Sequence, residues 1–123
     1  MKRIIVTPAG RKKYLEILYR YLVRDYNYGH FNEWHLWANT LIKEDIDYIN
    51  FLSDKYDFIK IVNSKIPVDG IKSIGHFFED YIDEKIVYLR LDDDIVWINI
   101  MPSMTYLILE LIIRNIFWYS IIL

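Results

Sequence analysis

Four short runs rich in β-branched and aromatic residues, at positions 3–7, 33–38, 58–62 and 86–91, recur along the chain, each separated from the next by an amphipathic stretch. This alternation constrains the fold more than any other feature. Antiparallel neighbours need only a tight turn, whereas parallel strands need a crossover of roughly a dozen residues or more. Every connection here is long enough to hold a helix, so the chain reads β-α-β-α-β-α-β. That order predicts an α/β, Rossmann-like, mostly parallel sheet with flanking helices.

Within that frame, the first run is expected to close in a turn at Pro8, Ala9 and Gly10. Residues 11–26 follow with helical spacing, Leu15, Leu18 and Leu22 forming one stripe. Glu33 to Ala38 is expected to be a strand with Trp34, Leu36 and Ala38 on one face and His35 and Trp37 on the other, covered by a helix. The helix over 43–56 places Glu44, Asp45 and Asp47 in its early turns, where the dipole favours anions, and buries Ile46, Ile49, Leu52 and Tyr56. Ser73 is read as the cap of a helix to residue 82 that buries Ile74, Phe77, Phe78 and Tyr81.

Composition narrows the function. Hydrophobic residues make up 54% of the 123 positions, enough for a core, and 15 Lys and Arg against 17 Asp and Glu give no field for nucleic acid or an anionic membrane. There is no cysteine, hence no disulfide framework and no thiolate zinc site. The N-terminal apolar run is too short for a signal peptide, and a cytoplasmic location is expected.

In an open parallel sheet, ligands bind beyond the carboxyl ends of the strands. Polar residues collect there: Thr7 to Arg11, then Asn39 and Thr40, then Asn63, Ser64 and Lys65, then Asp92, Asp93 and Asp94. Three adjacent carboxylates disfavour joint ionisation unless a cation neutralises them, and an oxygen-only set suits Mg²⁺ or Mn²⁺. In an extended segment Asp92 and Asp94 share a side, which makes them the co-ligands. A solvated acidic turn is the competing reading, and the apolar runs on both flanks weigh against it. The turn with Gly10 and Arg11 is expected to offer backbone N–H groups and a guanidinium to phosphate. Lys12 and Lys13 are expected to be solvated, and His35 and Trp37 structural. His76 is placed within reach of a diphosphate, although packed or solvated histidines are commoner. No nucleophile with a paired base is visible.

The segments VTPAGRKKYLEILYRYL, FNEWHLWANT, SIGHFF and YLRLDDDIVWI together resemble bacterial and large-virus glycosyltransferases of the GT-A type, in order from residue 3 to about residue 98. VTPAGR and LRLDDDIVWI are the specific parts. The resemblance implies a GT-A-like fold, a nucleotide-diphosphate sugar donor, a glycan or other acceptor, and Mn²⁺ or Mg²⁺ as cofactor. Thr7, Ala9, Gly10 and Arg11 are then expected to border the nucleotide, Asn39 the base, Asp92 and Asp93 the ribose and sugar, and Asp94 the metal.

Residues 1–98 are accordingly read as a nucleotide-sugar-binding half-domain and 99–123 as a divergent apolar tail. Residues 106–123 approach the lower limit for a membrane span, but Glu110, Arg114 and Asn115 in their middle argue against an anchor. A frameshift after Ile98 is the preferred account, because one inserted nucleotide in an AT-rich back-translation restores a charged, periodic continuation. The expectation is thus the donor-binding half of a metal-dependent glycosyltransferase, truncated before its acceptor half and prone to self-association through an exposed sheet edge. A non-catalytic remnant or binding module of the same fold is the alternative.

Overall fold

The computed structural model describes residues 2–81, 83–95 and 118–121. Its elements run β1 (Arg3–Ala9), α1 (Lys12–Asn27), β2 (Glu33–Ala38), α2 (Lys43–Lys55), β3 (Ile59–Asn63), α3 (Gly70–Tyr81), β4 (Val87–Leu91) and β5 (Trp118–Ile121). The strands form one sheet in the order β3-β2-β1-β4-β5, and every pair is parallel. This is an α/β, Rossmann-like arrangement in which strand order reverses beside β1, the switch point where such sheets take their ligands.

The two faces of the sheet follow from side-chain alternation. Ile5, Trp34, Leu36, Ile59, Leu89 and Leu91 point to one face, where they meet Leu15, Leu18 and Leu22 of α1 and Ile49 and Leu52 of α2. Ile4, Val6, Trp37 and Tyr88 point to the other and pack on Phe77 of α3. The Trp37 and Phe77 rings stack at 5.1 Å with 8° between their planes. The expected helix over Trp37 is therefore α3.

Three local expectations are corrected. Pro8 does not end β1, which continues through Ala9. In this ladder the even-numbered residues of β1 direct their N–H and C=O groups towards β4, as the bond from Val87 N–H to the Lys2 carbonyl shows. The β1–β4 register stops at Val6 and Arg90, so the N–H that Pro8 lacks falls where no partner strand stands. On its other side β1 stays paired with β2 as far as Ala9 and Ala38. Next, α3 begins at Gly70, whose φ is +47°, rather than at Ser73. Ser73 is buried and its hydroxyl accepts the Asp69 N–H at 3.1 Å. Finally, the buried stripe of α2 is Asp45, Ile49 and Leu52, and Ile46 is exposed.

The stripe of α1 extends one step beyond its leucines, to Asp25, which is fully buried. Arg24 Nε donates to Asp25 Oδ1 at 2.8 Å, and Oδ2 has no hydrogen-bond partner. The helix ends at Tyr28 and turns away at Gly29, where φ is +79°.

Among the described residues no helix is long and apolar enough to cross a membrane. The proposed boundary at residue 98 and most of the apolar stretch 106–123 lie outside the described residues, apart from β5.

Candidate functional site

Beyond Val6 and Arg90, β1 and β4 part company, and a crevice of about 460 Å³ opens at the carboxyl end of the sheet. That volume is within the range that holds small ligands. Gly10 and Arg11 form one wall, Asn39, Thr40 and Ile42 a second, and Arg90 with the three aspartates a third, with Ile74 reaching in from α3. Gly10, Arg11, Asn39, Asp92, Asp93 and Asp94, which the sequence assigned to one site, are thus brought together. Residues 63–65, expected to join them, close and follow β3 at the margin of the described sheet and are not part of the lining.

The three aspartates differ in environment. The side chains of Asp92, Asp93 and Asp94 are 37%, 6% and 55% exposed, so the middle one is turned inward while its neighbours open to the crevice. Asp93 is fully engaged. Its Oδ2 accepts the Gly10 N–H at 3.2 Å, and its Oδ1 accepts Arg11 Nε at 3.1 Å together with Arg11 Nη2. Those bonds are the main reason the Arg11 guanidinium is held above its ordinary pKa, and burial opposes them. Arg11 also lies 4.7 Å over the Tyr14 ring and 3.7 Å from Asp94. Asp92 Oδ1 accepts Arg90 Nε at 2.9 Å.

Gly10 suits a close approach here. A Cβ at this position would stand 3.0 Å from the Asn39 carbonyl oxygen. The Asn39 N–H is itself bonded to the Ala9 carbonyl at 2.9 Å, so the turn after β1 presses directly on the end of β2. The Asn39 side chain is drawn towards α3, with Nδ2 donating to the Gly70 carbonyl at 3.4 Å and Oδ1 accepting the Ser73 hydroxyl.

Part of the donor set that the sequence assigns to a phosphate is already engaged within the chain. Gly10 N–H and two Arg11 nitrogens serve Asp93, and Lys12 N–H, at the start of α1, donates to Asp45 Oδ1 at 2.8 Å. Carboxylates of the chain itself occupy the positions an anion would take. Thr7 and Ala9 do not border the crevice: both are fully buried, and the Thr7 hydroxyl accepts the Trp34 indole N–H at 2.9 Å. Their odd positions in β1 turn them to the α1 face. His76 lines a separate hollow beside Pro67 and Lys72, and lies 3.9 Å from Glu79. His35 stays within the sheet layer, 3.2 Å from Glu33, with burial pushing its pKa down.

Sequence reasoning missed four contributors, among them Ile42, which follows Thr40 into the crevice wall. Arg90 and Ile74 line the crevice because they lie on the α3 side of the sheet, which their alternation with Tyr88 and Phe77 signals. Asp45 caps a helix remote in sequence, and no local pattern announces that.

The crevice sets three carboxylates against the guanidinium groups of Arg11 and Arg90, an excess of one negative charge. Among the described residues, no three His, Cys, Asp or Glu side chains are gathered closely enough to hold a metal ion by themselves. Asp92 and Asp94 nevertheless present oxygen to the opening, a donor set that fits a hard divalent cation whose remaining ligands are water or phosphate oxygens. No family model, curated protein or solved structure matches the chain.

Proposed function

We propose that the crevice binds a nucleotide-diphosphate sugar together with Mn²⁺ or Mg²⁺, and that the chain is the donor-binding part of a GT-A-type glycosyltransferase. One observation carries this reading: the Gly10 and Lys12 N–H groups and two Arg11 side-chain nitrogens are taken by Asp93 and Asp45, while Asp92 and Asp94 line the opening. A diphosphate meeting this surface is repelled unless a cation accompanies it. Dinucleotide sites of the Rossmann kind, by contrast, place the pyrophosphate directly on a helix N-terminus.

Asp92 and Asp94 are the residues that would hold the cation. When bound, it stabilises the charge that develops on the leaving diphosphate. The chain's own residues supply the setting. Gly10 lets the turn lie close against β2, Arg11 holds Asp93 inward, and Ile42 and Ile74 give the crevice an apolar side opposite its charges.

Calorimetric titration of nucleoside-diphosphate sugars with and without Mn²⁺ tests the proposal. Binding is expected only with the cation, and Asp94→Asn is expected to weaken it by about tenfold or more. Metal-dependent binding without sugar transfer identifies a donor-binding module. Cation-independent binding, or none to any nucleotide sugar, refutes the proposal.

A further inference from the structure

We infer that Asp93 is the positioning residue of the crevice, fixing the distance between the ends of β1 and β4 without itself touching a ligand. This rests on the proposed function only for what the crevice holds, since the clamp is a property of the chain alone.

Even-numbered residues of β1 direct their N–H groups towards β4, and the register ends at Val6 and Arg90. Pro8 has no N–H to satisfy, so Gly10 is the next donor on that side. β4 has already ended at Leu91. The Gly10 N–H therefore points at a gap in the sheet, and a buried donor without a partner costs about 1–3 kcal/mol. Asp93 fills the gap with Oδ2, and the adjacent Oδ1 takes Arg11. A side chain thus resumes the connection that the backbone ladder gave up, three residues beyond the last paired strand position.

The location of the clamp decides its role. Asp92 and Asp94 are the sequence neighbours of Asp93, so the bonds that fix Asp93 also fix where those two carboxylates stand. With only 6% of its side chain exposed and three donors on its oxygens, Asp93 has no surface left for a cation or a sugar. Arg11 makes its hydrogen bonds to Asp93 and approaches Asp94 only at 3.7 Å, so its main hold on the crevice runs through Asp93. The triplet is divided: the middle residue positions, and the outer two face the ligand.

The test uses the full chain with Asp93→Asn, Arg11→Gln, the double variant and Asp94→Asn. Three quantities are read: the Gly10 amide proton resonance, urea unfolding, and uptake of Mn²⁺ alone by electron paramagnetic resonance. The Gly10 resonance is expected to move upfield in Asp93→Asn and to stay in place in Asp94→Asn. Arg11→Gln and Asp93→Asn are each expected to weaken Mn²⁺ binding about tenfold, as outer-shell changes do, with the double variant no worse than the poorer single. An unmoved Gly10 resonance in Asp93→Asn, or losses from Arg11→Gln and Asp93→Asn that multiply, overturns the inference. If the wild-type chain takes up no Mn²⁺, the metal reading fails, and the Gly10 resonance with non-additive unfolding of the two variants still decides the clamp. Should Asp93→Asn not fold, Arg11→Gln carries the test: a protein with wild-type stability and an unchanged Gly10 resonance overturns the inference.

Discussion

The backbone N–H of Lys12 donates to Asp45 Oδ1 at 2.8 Å, so the first turn of α1 is capped by a side chain that α2 supplies. The residue at the N-cap position, Arg11, makes no capping bond of its own. Asp45 is 8% exposed and also brings negative charge to a helix N-terminus. Asp45→Ala is expected to lower stability by about 1–2 kcal/mol, and Asp45→Asn by roughly half of that. Urea unfolding followed by circular dichroism measures both. An unchanged midpoint in Asp45→Ala means that the cap contributes nothing.

Gly10→Ala places a methyl group 3.0 Å from the Asn39 carbonyl oxygen, a backbone atom of a residue whose own N–H is bonded to the Ala9 carbonyl. The expected destabilisation is about 1–3 kcal/mol, the usual range for overpacking. Amide chemical shifts of Asn39 and Asp93 are expected to move together in this variant. A fully stable Gly10→Ala protein with unshifted amides contradicts the close approach.

Phe77 is the one buried α3 side chain in the hydrophobic layer beneath that helix among the described residues, and its stack on Trp37 holds α3 to the sheet. Phe77→Ala is expected to cost about 3–5 kcal/mol and to diminish near-ultraviolet circular dichroism. Phe77→Leu fills most of the space and is expected to cost less. Equal stability of the two variants argues against the stack.

Asp25 sets the sign of a pH effect. Burial pushes its carboxyl above the ordinary range, against the opposing bond from Arg24. The folded chain therefore keeps this proton to a higher pH than the unfolded chain. Stability from this group is greatest below the unfolded pKa and falls as pH rises through the folded one. Asp25→Asn is expected to exceed the wild type by about 1 kcal/mol at neutral pH, since an ionised oxygen without a partner is removed. The gap is expected to close as pH falls through the carboxylate range. Unfolding curves across that range check it, and a gap that widens on acidification reverses the assignment.

Much of the fold was legible in the sequence because its signals are local. The alternation through Trp34, His35, Leu36 and Trp37 marked β2 with its observed limits and assigned its faces, and Leu15, Leu18 and Leu22 marked the buried side of α1. Strand order was not legible, because register arises between segments far apart. Pro8 misled for the same reason: proline interrupts a ladder only where a ladder exists, and here the neighbouring strand has already diverged. Asp25 and Asp45 were hidden by the rule that charged side chains stay in water, which each escapes through one specific partner. At the site, Gly10, Arg11, Asn39 and the aspartates converge as their strand-end positions implied. What spacing could not reveal was that Arg11 and Asp93 answer each other.

The parting of β1 from β4 beyond Val6 and Arg90 has one more consequence. The cleft opens where the β1–β4 ladder stops, and the Asp93 side chain sets how far its two lips stand apart. Thr40, Ile42 and Ile74 line that opening without taking part in the Asp93 bonds. Substitutions at these three positions are expected to change what the opening accepts while the sheet that frames it is kept.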